Sequence, residues 1–383
     1  MVATGRVWPL LLFIMPWRSS SVPNSAKRLL VASTEPYSGK SAVVLGIALQ
    51  LQAQGVDLAF GKPIANTLTS DTPDCPDPDL DFIVTTLALP SSRYYPPAVW
   101  LSPSYVEQVL ASMERTTSPS LQSFTLGQGE SLLLLEGPGS LTEGTLLNLP
   151  LTRMADLIDA AVLVVTRYDS LLLVDRLLAA KAELGDRLQG VIINAVPEAA
   201  ATAAATGLKP FLEHQGIPVL ALLPQSPIMR SITVGEIIDR LQAEVLCCPD
   251  RRDLIVESLT IGAMNVNSAL RYFRQGVNMA VVTGGDRTDI QLAALETSTQ
   301  CLVLTGQITP AASILERASD LEVPILAVDS DTLSTVERID ELFGHVGIHE
   351  PVKVRCIQEL IADHFDLERL LQLLNLRLPV SVS

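Results

Sequence analysis

Short apolar runs alternate with longer amphipathic stretches along most of this chain. Residues 29–33 form the first such run. A helical stretch follows at about 40–54, and Gly55 supplies its stop. Further strand-like runs lie at 56–64, 131–136, 160–166, 189–196 and 219–223, with a helical stretch near 171–184. The run 131–136 carries four consecutive leucines, so it is apolar on both faces. Strands buried on both faces and alternating with helices predict an α/β fold. Its sheet is parallel and covered by helices on both sides.

The pattern pauses at 224–233, where Pro224 and Pro227 interrupt it, and then resumes. Strands are expected near 254–261, 279–283, 301–305 and 325–328. Helices are expected near 268–274, 290–297, 312–319 and 335–343. This predicts a second, smaller α/β domain and then a helical tail at about 354–374. The expected organisation is an extension at 1–26, a first domain at 27–225, a second at 226–350 and a tail at 351–383. The extension holds the apolar run 8–17, which Pro9 and Pro16 interrupt and which is too short to span a bilayer.

Composition narrows the function classes. The 383 residues are 48% hydrophobic but only 4% aromatic, so the cores rest on aliphatic side chains. A formal charge of -15 argues against nonspecific binding to nucleic acid or an anionic membrane. Any phosphate ligand must therefore be held by local donors. Five cysteines, none in a C-x-x-C pair, predict reduced thiols in a cytoplasmic protein. His345 and His349 are four apart, but Gly344 and Gly347 disfavour the continuous helix that a metal pair would need.

The chemistry concentrates at Thr34-Glu35-Pro36-Tyr37-Ser38-Gly39-Lys40-Ser41, between the first strand and the first helix. It meets the phosphate-loop pattern G-x-x-x-x-G-K-[ST] except at the first glycine, where Thr34 stands. Gly39 lets backbone approach phosphate, and the N–H groups at the helix start point at anionic oxygens. Lys40 is expected to neutralise the β- and γ-phosphates, and the Ser41 hydroxyl to ligate magnesium. ATP with Mg2+ is the expected ligand, contacted by Thr34, Glu35, Ser38, Gly39, Lys40 and Ser41.

With Ser33 before it, this loop resembles the G-T-D-T-G-V-G-K-T loop of dethiobiotin-synthetase-like P-loop proteins, which also place Thr at that position. Gly61-Lys62-Pro63-Ile64 is similar to that group's Y-K-P-V, and Leu135-Glu136-Gly137-Pro138-Gly139 to its V-E-G-A-G. The strand 190–194 resembles the one that ends in an adenine-reading Asn. The stretch 217–224 resembles the region that closes the base pocket. The resemblance implies ligand-facing Lys62, magnesium-binding Glu136 and adenine-contacting Asn194. Glu136 ends an apolar strand, where a carboxylate needs a cation or hydrogen bonds. Asp79 and Asp81 alternate, and are expected on one strand face where either completes the magnesium shell. Asp71, Asp74 and Asp77 are expected in solvent. Pro36 and Tyr37 depart from the family loop, and so place carboxylation of a diamine in doubt.

In the second domain, Thr283-Gly284-Gly285-Asp286-Arg287-Thr288 joins a strand to a helix. Gly284, Gly285, Asp286, Arg287 and Thr288 are candidates for an anion nest, facing the loop 262–265 at the next strand end. The alternative is a turn capped by Asp286, with Arg287 paired to an acid. The stretch resembles the DRTGG domain. The pairing of the two domains resembles the N-terminal regulatory half of long bacterial phosphotransacetylases and their stand-alone relatives, known from cyanobacteria among others. The acetyl-transferring domain of those enzymes is not expected within 383 residues. Two readings remain open. One is a regulatory protein that senses ATP and a metabolite effector and acts on a partner enzyme. The other is an ATP-dependent ligase or kinase for a small carboxylate or amine. A homo-oligomer is expected under either.

Overall fold

The computed structural model describes residues 27–66, 77–112, 118–127, 129–345 and 347–378. The extension 1–26, Asp71, Asp74 and Cys75 lie outside them. The first sheet has seven parallel strands: β1 (Lys27–Ser33), β2 (Leu58–Gly61), β3 (Tyr94–Tyr95), β4 (Leu132–Glu136), β5 (Ala161–Arg167), β6 (Leu188–Val196) and β7 (Val219–Pro224). Their order is β3-β2-β4-β1-β5-β6-β7. β1 thus sits at the centre, and the loop that leaves it emerges where neighbouring strand ends converge.

Alternation along β1 feeds two cores. Leu30 and Ala32 pack with helices α3 (Leu151–Ile158) and α4 (Leu173–Leu184) on one face. Leu29 and Val31 pack on the other face with α1 (Lys40–Ala53) and α2 (Pro78–Thr86). The expected strand 56–64 breaks after Gly61. Pro63 has no N–H to continue the ladder, and residues Ile64–Asn66 pair instead with Val99–Leu101 in a separate ribbon.

The second domain begins with α5 (Val234–Leu241), whose capping box joins Thr233 and Glu236. Strands β8 (Glu244–Cys247), β9 (Ser258–Ile261), β10 (Met279–Gly284), β11 (Thr299–Thr305) and β12 (Ile325–Val328) form its main sheet, in the order β8-β12-β11-β10-β9. β8 alone runs antiparallel. Helices α6 (Val266–Phe273), α7 (Thr288–Leu295) and α8 (Ala312–Asp320) cover one face. α5 and α9 (Thr332–Asp340) cover the other.

The C-terminal helices α10 (Pro351–His364) and α11 (Leu367–Leu373) are built into the first domain. Ile357, Ile361, Leu370 and Leu371 share the core of α1. A Cβ placed on Gly46 of α1 would stand 2.7 Å from Ile361 Cγ1, so the small residue permits this close crossing. The backbone N–H of Asp366 donates to Leu220 O at 2.9 Å, tying the tail to β7. The chain therefore leaves the first domain, builds the second, and returns across the mouth of the phosphate loop.

Candidate functional site

Gly39 caps α1 in the left-handed region, at φ 84°, and so aims the first helical N–H groups into the space above the loop. Tyr37 holds φ 56° without being glycine. Its backbone thus follows the course that a glycine would give, while its ring stands exposed at the mouth. Thr34 Oγ1 donates to Thr166 Oγ1 at 2.9 Å, and Glu35 accepts from Arg167 N at 2.6 Å. These two residues fasten the loop to the end of β5 and do not line the cavity beside it. In this structure both serve to anchor the loop.

Behind the loop lies a chain of charges. Lys40 Nζ is 2.7 Å from Glu136 Oε1 and donates to Gly137 O at 2.8 Å. Ser41 Oγ donates to the same Oε1 at 3.1 Å, and Lys62 Nζ lies 3.4 Å from it. Lys62 also donates to Asp77 Oδ2 at 2.5 Å. Glu136 is 1% exposed. Burial alone would push its carboxyl up, but the charges of Lys40 and Lys62 and the hydrogen bonds from Lys40 and Ser41 outweigh it. They hold the group at about 2. Burial works against the Lys62 charge in the same way, and Glu136 and Asp77 reverse that, raising it well above the usual lysine value. Glu136 Oε2 is buried and has no hydrogen-bond partner among the described residues. With Ser41 Oγ close by, that free oxygen and the hydroxyl fit a hard cation that prefers oxygen ligands.

Three acids differ from expectation. Asp79 and Asp81 lie in the first turn of α2, not on a strand. Asp79 pairs with His349, its Oδ1 3.1 Å from Nε2, and Asp81 is exposed and does not line the cavity. Asp77, expected in solvent, is 3% exposed and caps α2 by accepting from Leu80 N at 3.2 Å. The signal was present: Asp followed by Pro at the first helical position marks a helix start. The strand reading of the alternating acids concealed it.

The cavity has a volume of about 570 Å³. Ser38, Gly39, Lys40, Ser41, Lys62 and Asn194 all line it, so the structure brings these sequence candidates together. Asn194 Nδ2 donates to Ser38 O at 2.8 Å and its Oδ1 accepts from Ala195 N at 2.9 Å. It braces the loop and keeps one amide N–H to spare. The far wall escaped sequence reading. His345 meets the Tyr37 ring edge-on with centroids 4.4 Å apart, and His349 meets Phe82 similarly at 5.2 Å. Arg167 and Arg230 line the same cavity. These residues come from distant parts of the chain, and no local motif marks them.

The second-domain candidates do not line this cavity. Arg287, not Asp286, occupies the N-cap of α7, without a side-chain cap bond. Arg287 pairs with Asp289 at 3.1 Å and donates to Met264 O at 2.9 Å, which joins the two strand-end loops. Thr288 opens α7, and Asp286 is exposed. Gly285 packs so tightly that a Cβ would stand 2.2 Å from Ile308 O. The buried Gln291, unnoticed in the sequence, donates to Gly284 O and Gly285 O at 2.9 and 3.1 Å and holds the glycine turn.

Comparison with known proteins agrees with this architecture. The AAA domain family matches residues 27–233, and the DRTGG domain family matches residues 236–342. The phosphate acetyltransferase of Nitratidesulfovibrio vulgaris is 26% identical over 365 residues, 89% of this chain and 51% of that protein. That of Synechocystis sp. is 26% identical over 370 residues, 91% of this chain and 52% of that protein. The chain thus spans about half the length of the curated relatives it matches. A solved structure of the CBS and DRTGG domains of a Clostridium perfringens pyrophosphatase, in complex with diadenosine tetraphosphate, overlaps 36% of this chain and 57% of that one. It has 21% identity and a TM-score of 0.26, an overlay too loose to bear on function. The chain belongs to the AAA domain family of P-loop proteins, in its dethiobiotin-synthetase-like form, and joins that domain to a DRTGG domain as in the phosphate acetyltransferases it resembles.

Proposed function

We propose that this chain is a regulatory protein that binds ATP with magnesium in the cavity beside Lys40 and signals its occupancy to a partner enzyme. The observation that carries the reading is the arrangement of Lys40, Ser41, Lys62 and Glu136 behind a glycine-capped helix. In this arrangement Lys40 is held ready by Glu136, close to the helix start where a phosphate would sit. Ser41 Oγ and Glu136 Oε2 would hold the magnesium ion, which when bound offsets the phosphate charge. Lys62, kept protonated by Glu136 and Asp77, adds a fixed positive charge to the cavity. Asn194 is placed to offer its spare N–H to a base.

The signalling part of the proposal rests on connectivity. The segment that closes the cavity, with Gly344, His345 and Gly347, follows directly from α9 of the second domain. A ligand that displaces the His345 ring therefore acts on the connection between the DRTGG domain and α10. The second domain is proposed to take a small metabolite near Arg287, and the chain to act as a homo-oligomer.

Calorimetric titration of the purified chain with MgATP tests the reading, with Lys40→Ala as the control. Saturable binding that Lys40→Ala abolishes supports it. Absence of binding, and of any rise in melting temperature at saturating MgATP, would falsify it. Steady ADP release well above that of Lys40→Ala would instead favour the ligase or kinase reading, in which Lys62 faces a carboxylate or amine substrate.

A further inference from the structure

We infer that Arg230 is a phosphate-binding residue of the Lys40 cavity, supplied from the junction between the two domains. The inference rests on the proposed nucleotide site and adds a contact to it. Arg230 ends the short helix Pro227–Arg230, just after β7 and just before the capping box that starts α5. Arg230 lines the cavity. Its Nε is buried and lacks a hydrogen-bond partner. Among the described residues no carboxylate forms an ion pair with it. A Cβ on Gly344 would stand 3.7 Å from that Nε, so the guanidinium lies beside the returning segment that carries His345.

The charge balance of the cavity gives this its force. Lys40 and Lys62 are matched by Glu136 and Asp77, and His349 by Asp79. Among the described residues Arg230 and Arg167 are left without an ion pair, and of the two only Arg230 has a buried Nε with no hydrogen-bond partner. A buried guanidinium N–H without an acceptor is unfavourable, and the planar guanidinium has a strong preference for the anionic oxygens of carboxylate or phosphate. A phosphate oxygen entering the cavity meets both needs. Binding there would fix the end of the helix Pro227–Arg230, and with it the start of the second domain.

The test is calorimetric titration of the full chain with MgATP, MgADP and AMP, for the wild-type chain, Arg230→Gln, Arg230→Lys and Lys40→Ala. Loss of one charge-assisted contact predicts about tenfold weaker MgATP binding by Arg230→Gln. AMP affinity is expected to hold within about twofold, and Arg230→Lys to fall between the two. MgATP binding by Arg230→Gln within about twofold of wild type, while Lys40→Ala is impaired, overturns the inference. If Arg230→Gln does not fold, the same comparison is made with Arg230→Lys. If the wild-type chain binds no nucleotide, the nucleotide reading fails by itself, and inorganic pyrophosphate becomes the probe. Thermal stabilisation by pyrophosphate that Arg230→Gln loses upholds the anion site, and an equal or absent response overturns it.

Discussion

Lys40 Nζ lies 2.7 Å from Glu136 Oε1, so the cation that would face an incoming phosphate is held by the acid behind it. The same oxygen accepts from Ser41 and lies near Lys62, so one carboxylate faces two ammonium groups, with Asp77 as the nearer partner of Lys62. Glu136→Ala would leave both lysines without it, at a cost on the order of 3–5 kcal/mol in unfolding free energy. The acid dependence has a definite sign. Glu136 sits at about 2, below its ordinary value, so its contribution is full above about pH 4.5 and is lost as pH falls towards 2. Denaturant titrations from neutral to acid pH should show a shallower acid decline in Glu136→Gln than in wild type. Parallel declines would show that Glu136 is not the controlling group.

His349 titrates in the opposite sense. Its hydrogen bond to Asp79 is the largest influence, ahead of partial burial, and the Asp79 charge adds to it, so His349 rises above its ordinary value. Its contribution is complete below about pH 6.5 and disappears as pH rises through the raised value. Glu350 acts with Asp79 and Lys353 against it. Melting curves of wild type and His349→Gln should differ most near pH 6 and converge in alkaline buffer. A gap that stays constant across that range would assign His349 a packing role alone.

The crossing of α1 and α10 makes a prediction about the tail. Gly46→Val would drive its side chain into Ile361 and Ile357, with a cost of about 1–3 kcal/mol by overpacking. Ile361→Ala would remove a fully buried side chain from the same contact, costing about 2–5 kcal/mol. Both should lower the melting temperature of the first domain. Unfolding that leaves the nucleotide domain unaffected would contradict the placement of α10 in its core.

Local pattern carried the strands and the phosphate loop because each is dictated by neighbours in sequence. The strand 325–328 coincides with β12, and the loop from Thr34 to Ser41 runs between β1 and α1 as its residues require. The closure of the site was not legible in this way. His345 and His349 reach the cavity because the returning chain packs α10 on Gly46, a contact between residues more than 300 positions apart, and Arg230 reaches it from the helix that follows β7. Asp77 failed for a different reason. Period-two spacing of Asp79 and Asp81 competed with the cap signal Asp77-Pro78, and the apolar positions Leu80 and Ile83, three apart, settled the matter in favour of a helix.

Tyr37 is a bulky residue in a backbone conformation that glycine adopts more readily. It stands at φ 56°, a conformation that costs a non-glycine residue about 1–2 kcal/mol. The residue is 56% exposed, and its ring meets His345 edge-on with centroids 4.4 Å apart, a contact of about 0.5–1.5 kcal/mol. The two terms nearly cancel, so Tyr37→Gly should change stability by less than about 1 kcal/mol. Tyr37→Ala keeps the strain and loses the contact, and should be less stable than Tyr37→Gly by about 1 kcal/mol. Binding then reports what the ring does. If it serves as a door against His345, Tyr37→Gly and Tyr37→Ala will both bind MgATP more tightly than wild type, while Tyr37→Phe will match it. Weaker binding by the two small variants, with Tyr37→Phe unchanged, would instead make the ring a surface on which the nucleotide rests.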